Sequence, residues 1–312
     1  MRIIFMGTPE FALPALAALV ESRHDLVGVF TAPDRPAGRG RQPAMSPVKR
    51  FALERGLPLY QPPRLRHPAQ VDLIRSLLPD LVVVAAYGQI LSRDVLATPR
   101  LGCLNLHPSL LPRHRGASPV VGTILAGDAE AGVTLMQMDE GMDTGPTVAQ
   151  RRVPLEGDET AGRLTDRLAR LGADLLIETL PGWSAGALPT LPQDPTQATY
   201  TRPLDKEDGV LDWTLPAVEL ERRVRAYDPW PGCHTLWHGQ RLRVLAAAVL
   251  PGTLGARPGT VAVDPGSDEP VVQTGQDLIL LRRLQAEGRK AAGGADFLHG
   301  HRDLPGSRLG DG

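Results

Sequence analysis

The run Leu81-Val-Val-Val-Ala85 carries no polar interruption, so a strand there has to be covered on both faces. That requirement points to a sheet sandwiched between helices rather than to a one-sided antiparallel sheet. Two earlier apolar runs, Arg2–Met6 and Asp25–Thr31, flank a segment with helical spacing at Phe11, Leu13, Leu16, Leu19 and Val20. Gly7-Thr8-Pro9-Glu10 forms the turn between the first strand and that helix, with Pro9 suited to a first helical turn. Strand, helix, strand predicts a parallel sheet with a right-handed crossover. The glycines do not follow G-x-G-x-x-G, so a dinucleotide site has little support. Residues 46–55 and 68–78 read as helices, 57–60 as a short strand and 92–97 as a short helix. Tyr87–Leu91 is a turn at the carboxyl end of the central strand, where open α/β sheets bind ligands.

The next strand breaks abruptly. In Cys103–His107, a two-residue period separates Leu104 and Leu106 from Asn105 and His107. Pro108, Pro112, Gly116 and Pro119 then stop regular structure. An amide and an imidazole on one strand face can hold a carbonyl group and donate to its oxygen as negative charge develops. Beyond lie a helix over 120–126, a strand over 132–139 and a glycine-bounded turn, Glu140–Gly145, that carries Asp143. A strand over 147–154 and an amphipathic helix over 159–180 follow. A carboxylate at Asp143, brought beside His107, would favour imidazolium and raise the ring's pKa. His107 can equally be a satisfied histidine ending a strand, and Asp143 an Asx turn between glycines. Tyr87–Leu91 and Leu110–Leu111 read either as packing or as the apolar walls of a pocket for a flat heteroaromatic ligand.

Residues 32–47 hold Arg35, Arg39 and Arg41 among Gly and Pro, with almost no apolar anchor. The segment is too long for an ordinary βα connection. It reads as an exposed irregular loop, either a solvated insert or an arm that grips phosphates. Net charge is −1, so any nucleic-acid contact has to come from such local patches. All of the 34 basic residues except Lys49, Lys206 and Lys290 are arginine, which supplies forked donors for phosphate. Cys103 and Cys233 stand far apart, which argues against a disulfide framework and fits a reducing compartment. Cys233, His234 and His238 lack a further ligand cluster, so no metal is expected. The apolar start is too short for a signal peptide, and no window reaches the ~18 residues of a membrane span. A cytoplasmic monomer is expected, with no membrane partner.

From Pro181 to about Lys206 the pattern loosens into a linker. A helix over 216–226 and short apolar runs at 236–237, 241–249, 259–263, 271–274 and 278–281 predict a small β-barrel or sandwich. Residues 205–312 carry 13 basic against 15 acidic residues, so this part is not basic overall.

The stretch Asn105–Pro112 followed by Arg113–Pro119 resembles the signature of the 10-formyltetrahydrofolate-dependent formyltransferases. The likeness runs nearly end to end and includes Ile3–Pro9, Val29–Gly40, Val133–Asp139, Asp143–Gly145, Leu211–Trp213 and Ala226–Pro231. Within that family it is similar to the branch that formylates initiator methionyl-tRNA. The resemblance implies a Rossmann-like parallel-sheet catalytic domain over 1–186, a linker over 187–204 and an OB-like β-barrel domain over 205–312. It implies that Asn105, His107 and Asp143 are catalytic and that Ser109, Leu110, Leu111 and Pro112 bind the folate co-substrate, 10-formyltetrahydrofolate. Arg35, Arg39, Arg41 and Lys206 match positions that meet tRNA. Pro108 stands where many members of that branch have Gly. The alternative acceptor is a 4-amino-sugar nucleotide, against which the cationic insert argues.

Overall fold

Gly7 closes the first strand because nothing larger fits. A Cβ there would stand 2.7 Å from the Ala12 Cβ, 2.8 Å from the Phe5 ring and 3.0 Å from the Ala85 carbonyl. In the computed structural model, which describes residues 1–37 and 42–310, that close approach packs the turn after β1 (Arg2–Gly7) beside the end of the central strand. A one-turn 3₁₀ segment follows, and α1 (Leu13–Glu21) carries Pro14 in its first turn. The chain then runs through β2 (Asp25–Phe30), β3 (Arg35–Ala37), β4 (Gln42–Ala44) and α2 (Pro47–Glu54). Next come β5 (Leu59–Tyr60), α3 (Pro68–Ser76), β6 (Leu81–Ala85), α4 (Arg93–Leu96) and β7 (Cys103–His107). They are followed by β8 (Arg115–Gly116), α5 (Pro119–Ala126), β9 (Glu130–Gln137), β10 (Thr147–Pro154) and α6 (Ala161–Ser184).

Seven of these strands form one sheet in the order β10-β9-β7-β6-β1-β2-β5. The five from β7 to β5 are parallel, as the βαβ opening predicts. β9 and β10 run antiparallel to their neighbours, so the sheet is mixed. For β10 on β9 the reason is local: residues 138–146 join the two strands and are too few for the crossover of a dozen or more residues that a parallel pair needs. Chain order reverses between β1 and β6, which opens a crevice at their carboxyl ends. Ile4, Met6, Val82, Val84 and Cys103 share one buried cluster on one face. On the other face α6 covers Leu106 and Val133 at Gly172. All five residues of β7 are buried, so its polar face is closed by loops and not left to solvent.

The insert differs from the irregular loop expected. β3 and β4 pair as an antiparallel hairpin, with Pro36 opposite Pro43. Two residues without N–H groups can face each other where the ladder needs no donors, which is why prolines do not break this one. Its base is tied. The Thr31 and Ser46 hydroxyls bond at 2.8 Å, and Lys49 Nζ meets Asp34 at 2.6 Å with both side chains largely shielded. Ser46 also caps α2 at the Lys49 N–H. Arg39 and Arg41 lie outside the described residues.

The chain divides into two compact units. The first comprises Met1–Pro119, Glu130–Pro154 and Thr165–Arg202, and the second comprises Val120–Ala129, Leu155–Leu164 and the chain from Pro203 onward. The segment read as a linker is not bare coil. Leu191 bridges to Thr147, and β11 (Tyr200–Thr201) pairs in parallel with β8. In the second unit α7 (Ala217–Ala226) packs on an antiparallel sheet. Its strands are β12 (His234–Trp237), β13 (Gln240–Leu250), β14 (Val261–Val263), β15 (Pro270–Gln273), β16 (Leu278–Ala286) and β17 (Ala292–Gly293), and α8 (Gly294–Gly300) follows them. The order is β12-β13-β16-β15-β14, with β17 on β16. The terminal segment joins the two edges: Val261 N–H donates to Ser307 O and Gly310 N–H to Leu236 O. No helix among the described residues is long and apolar enough to cross a membrane.

Gly7→Ala tests the packing at the crevice. The overlapping atoms are buried side chains and backbone, so the substitution should cost about 1–3 kcal/mol, read by calorimetry as a lower Tm.

Candidate active site

After β6, β7 and β9 the chain leaves the sheet through three loops that wall a cleft. Thr8 Oγ1 donates to the Tyr87 carbonyl at 3.1 Å and accepts from the Ala32 N–H, tying the loops after β1, β6 and β2. Gln89 holds the far side, accepting from the Leu65 N–H at 2.7 Å and donating to Pro62 O. The cleft encloses about 520 Å³ and is walled by Val84, Tyr87, Leu106, Pro108, Met138 and Met142. Asn105, His107 and Asp143 also line it. An apolar slot of this size with a few convergent polar groups suits a flat heteroaromatic ligand.

The three expected catalytic residues therefore meet. Asn105 lies beside Val84 on β6 and Met136 on β9, and His107 lies opposite Thr134, so the strand register aims both at the crevice. Among the described residues no hydrogen bond engages the Asn105 amide, which leaves it available to a ligand. His107 Nε2 lies 3.0 Å from the His114 carbonyl. A carbonyl can only accept, so the proton on that nitrogen is fixed and the ring's other nitrogen, Nδ1, faces Asp143 Oδ2 at 3.6 Å. The same carboxylate oxygen accepts from the Gly116 N–H at 2.8 Å.

The electrostatics differ from the sequence expectation. Burial holds the His107 pKa below the ordinary histidine value, outweighing the upward pull of Asp143 and of the bond to His114 O. Desolvation wins because the ring is almost wholly enclosed and the carboxylate stands beyond hydrogen-bond reach. The resting imidazole is neutral, and Nδ1 is an empty proton seat facing a carboxylate. Asp143 and His114 are the titratable groups facing it. Both have left-handed backbones, with φ of 54° and 58°, as has Ala86 in the cleft wall at 48°. Such conformations typically cost about 1–3 kcal/mol each and persist only where surrounding contacts impose them.

Ser109, Leu110, Leu111 and Pro112 are not brought into this cleft. Thr134 Oγ1 donates to Ser109 O at 2.7 Å and accepts from the Leu111 N–H, and Gln150 donates to Leu111 O. The turn, which follows Pro108 of the cleft wall, is thus gripped from β9 and β10. Arg35 lies on β3, while Lys206 is exposed in the second unit. Among the described residues no group of three or more His, Cys, Asp or Glu is arranged to hold a metal ion.

Sequence reasoning missed Thr134, Gln150, Arg115 and Gln193. Single polar residues on strands and in coil carry no motif, and only their spatial convergence marks them. Gly116 shows what that convergence requires. Its φ is 104°, and a Cβ would stand 2.2 Å from the Thr201 carbonyl.

Comparison with known proteins identifies the scaffold. The formyl transferase family matches residues 1–180, and the formyl transferase C-terminal domain matches 203–302. The chain belongs to the formyl transferase family. It is 52% identical over 300 residues to the methionyl-tRNA formyltransferase of Chloroflexus aggregans, covering 96% of this chain and 97% of that one. It is 50% identical to that of Roseiflexus sp. over 100% of this chain and 96% of the relative. The fold is shared with an N-formyltransferase from Helicobacter canadensis solved with folinic acid and dTDP-3-aminofucose. That structure is 14% identical, with a TM-score of 0.66 over 92% of this chain and 99% of that one. In this formyl transferase the cleft at the sheet's reversal point therefore lies within the first family domain.

The neutral state of His107 is measurable. An NMR titration of its ring should give a midpoint below about 6.5, the unperturbed histidine value. Asp143→Asn removes an interaction that favours imidazolium, so it should move the midpoint lower still. A wild-type midpoint above the unperturbed value would contradict the dominance of burial.

Proposed function

We propose that this protein transfers the formyl group of 10-formyltetrahydrofolate to the α-amino group of methionyl-initiator tRNA. The products are N-formylmethionyl-tRNA, for translation initiation, and tetrahydrofolate. The observation that carries the reaction is the meeting of Asn105, His107 and Asp143 in one apolar-walled cleft. Similarity at half identity along the whole chain to methionyl-tRNA formyltransferases supports the acceptor. On this reading the protein works in the cytoplasm as a monomer. Residues 1–186 are catalytic, 187–204 connect, and 205–312 form the smaller domain.

The folate supplies an activated formyl group, and the apolar walls of the cleft hold its ring system. Asn105 donates from its free amide to the formyl oxygen as negative charge builds there. An amide oriented in advance in a water-poor cleft is effective because it need not reorganise when the charge appears. The attacking α-amine has to be neutral, and α-amino groups titrate near ~7.7–8.0, so a useful fraction needs no strong base. The amine loses a proton on becoming an amide. The His107–Asp143 pair accepts it at Nδ1, and Asp143 stabilises the imidazolium that forms. His107 then returns the proton to the departing folate nitrogen, so the ring ends neutral and the proton balance closes. Ser109, Leu110, Leu111 and Pro112, the turn that continues from the Pro108 wall, bind the folate. Arg35, Arg39, Arg41 and Lys206 supply phosphate contacts for the acceptor RNA.

Asn105→Ala should lower kcat by ~10²–10³, the usual cost of losing one such donor, while folding remains intact by circular dichroism. Near-wild-type turnover would remove Asn105 from the machinery. Formyl transfer measured with methionyl-tRNA and with a 4-amino-sugar nucleotide tests the acceptor. Transfer to the sugar alone would overturn the assignment. Arg39→Ala should raise KM for tRNA and leave KM for folate unchanged, and equal effects would defeat the phosphate-arm reading.

A further inference from the structure

Asp143 lies in a turn that Asp139 braces from within, accepting from the Gly141 N–H at 3.0 Å and from Thr144 Oγ1 at 2.7 Å. Among the described residues no side chain of that turn bonds the Asp143 backbone, and its carboxylate has to stand beside His107 Nδ1. The group that fixes its backbone comes from the segment the sequence reads as a linker. Gln193 Nε2 donates to Asp143 O at 2.9 Å and to Gly145 O at 2.7 Å. Its Oε1 accepts from Arg115 Nε at 3.1 Å and from Nη2 at 2.8 Å. Both donors and the acceptor of the amide are occupied. Its orientation is also unambiguous, since a guanidinium only donates and a carbonyl only accepts.

The circuit closes through the backbone. Arg115 precedes Gly116, whose N–H donates to the Asp143 carboxylate, and follows His114, whose carbonyl fixes His107 Nε2. Arg115 is buried, and its guanidinium is held by the Tyr200 hydroxyl at 3.3 Å and over the Tyr200 ring. The same linker segment grips the loop itself. Arg115 N–H donates to Thr199 O, His114 N–H to Thr199 Oγ1, and Thr201 Oγ1 to Arg115 O. Both partners of the His107 ring are thus set by residues 193–201.

We propose that Gln193 is a positioning residue: bridging Arg115 to the carbonyls of Asp143 and Gly145, it sets the carboxylate against His107 Nδ1. This rests on reading Asn105, His107 and Asp143 as the formyl-transfer machinery. Gln193 touches no reacting atom. Its effect passes through Asp143, and Arg115 is the anchor that keeps its amide from turning. Without the bridge, the strained Asp143 backbone relaxes and the carboxylate moves away from the ring.

The test uses Gln193→Met, which keeps length and packing but loses every hydrogen bond. The variant should lose roughly ten- to a hundredfold in kcat, the scale expected for an ångström-level misplacement, with KM for folate unchanged. The His107 titration midpoint should fall toward the value in Asp143→Asn, since His107 would be left with burial and His114 but without the nearby carboxylate. A simple loss of stability would not move that midpoint. Gln193→Glu is the second variant. It retains the Arg115 contact but sets a carboxylate against two carbonyls, so it should show the same midpoint shift and kcat loss. An unmoved His107 midpoint in whichever variant folds, or kcat within twofold of wild type, would overturn the proposal. The NMR measurement needs no substrate, so a wrong acceptor assignment leaves it interpretable. A normal midpoint shift with no formylation of methionyl-tRNA by wild type would instead count against the proposed function.

Discussion

A buried, neutral imidazole with one nitrogen fixed and the other empty is the feature on which the rest of the site depends. The fixed nitrogen is held by the His114 carbonyl at 3.0 Å, so the ring cannot flip without orphaning a buried N–H. The empty nitrogen faces a carboxylate at 3.6 Å, just beyond hydrogen-bond reach but close enough to pair with the ring once it is protonated. Burial keeps the ring neutral, and the carboxylate makes a proton on it tolerable when chemistry supplies one. Either influence alone would produce an inert histidine or a permanently charged one.

The fold provides this arrangement through one strand end and two strained loops. β7 delivers Asn105 and His107 from the sheet, where the register fixes them against β6 and β9. His114 and Asp143 come from loops and adopt left-handed backbones that cost free energy. The contacts offsetting that cost are specific. Gly116 has to be glycine for the Thr201 backbone to approach, and the 109–112 turn is clamped by Thr134 and Gln150. Rigidity in the sheet and strain in the loops belong to one design, because only a stiff scaffold can keep such loops in place.

Legibility divided along the same line. Leu81–Ala85 announced a central covered strand, and the strand lies at 81–85. The βαβ opening predicted the parallel half of the sheet. The antiparallel pair β9 and β10 was not foreseen as such, because apolar periodicity reports that a strand exists but not its direction. The insert hairpin was missed because Pro and Gly usually mark loops, whereas here the prolines pair across a ladder position without donors. The closing contacts of residues 307–310 were invisible for a similar reason: short terminal segments carry no periodic signal.

Spacing along the chain determined by itself that Asn105 and His107 share a strand face, that the strand ends there, and that a glycine-bounded turn carries Asp143. Those are local facts, set by the two-residue period and by proline and glycine. Tertiary structure decided everything that depends on distance between remote segments. It brought Asp143 to His107 across the sheet and enclosed the ring until desolvation outweighed the carboxylate's pull. It clamped 109–112 between Thr134 and Gln150, and it set Gln193, from an expected linker, against the Asp143 backbone. Protonation and positioning arise from the sum of fields and contacts around a group, and a linear sequence fixes that sum only once the chain has folded.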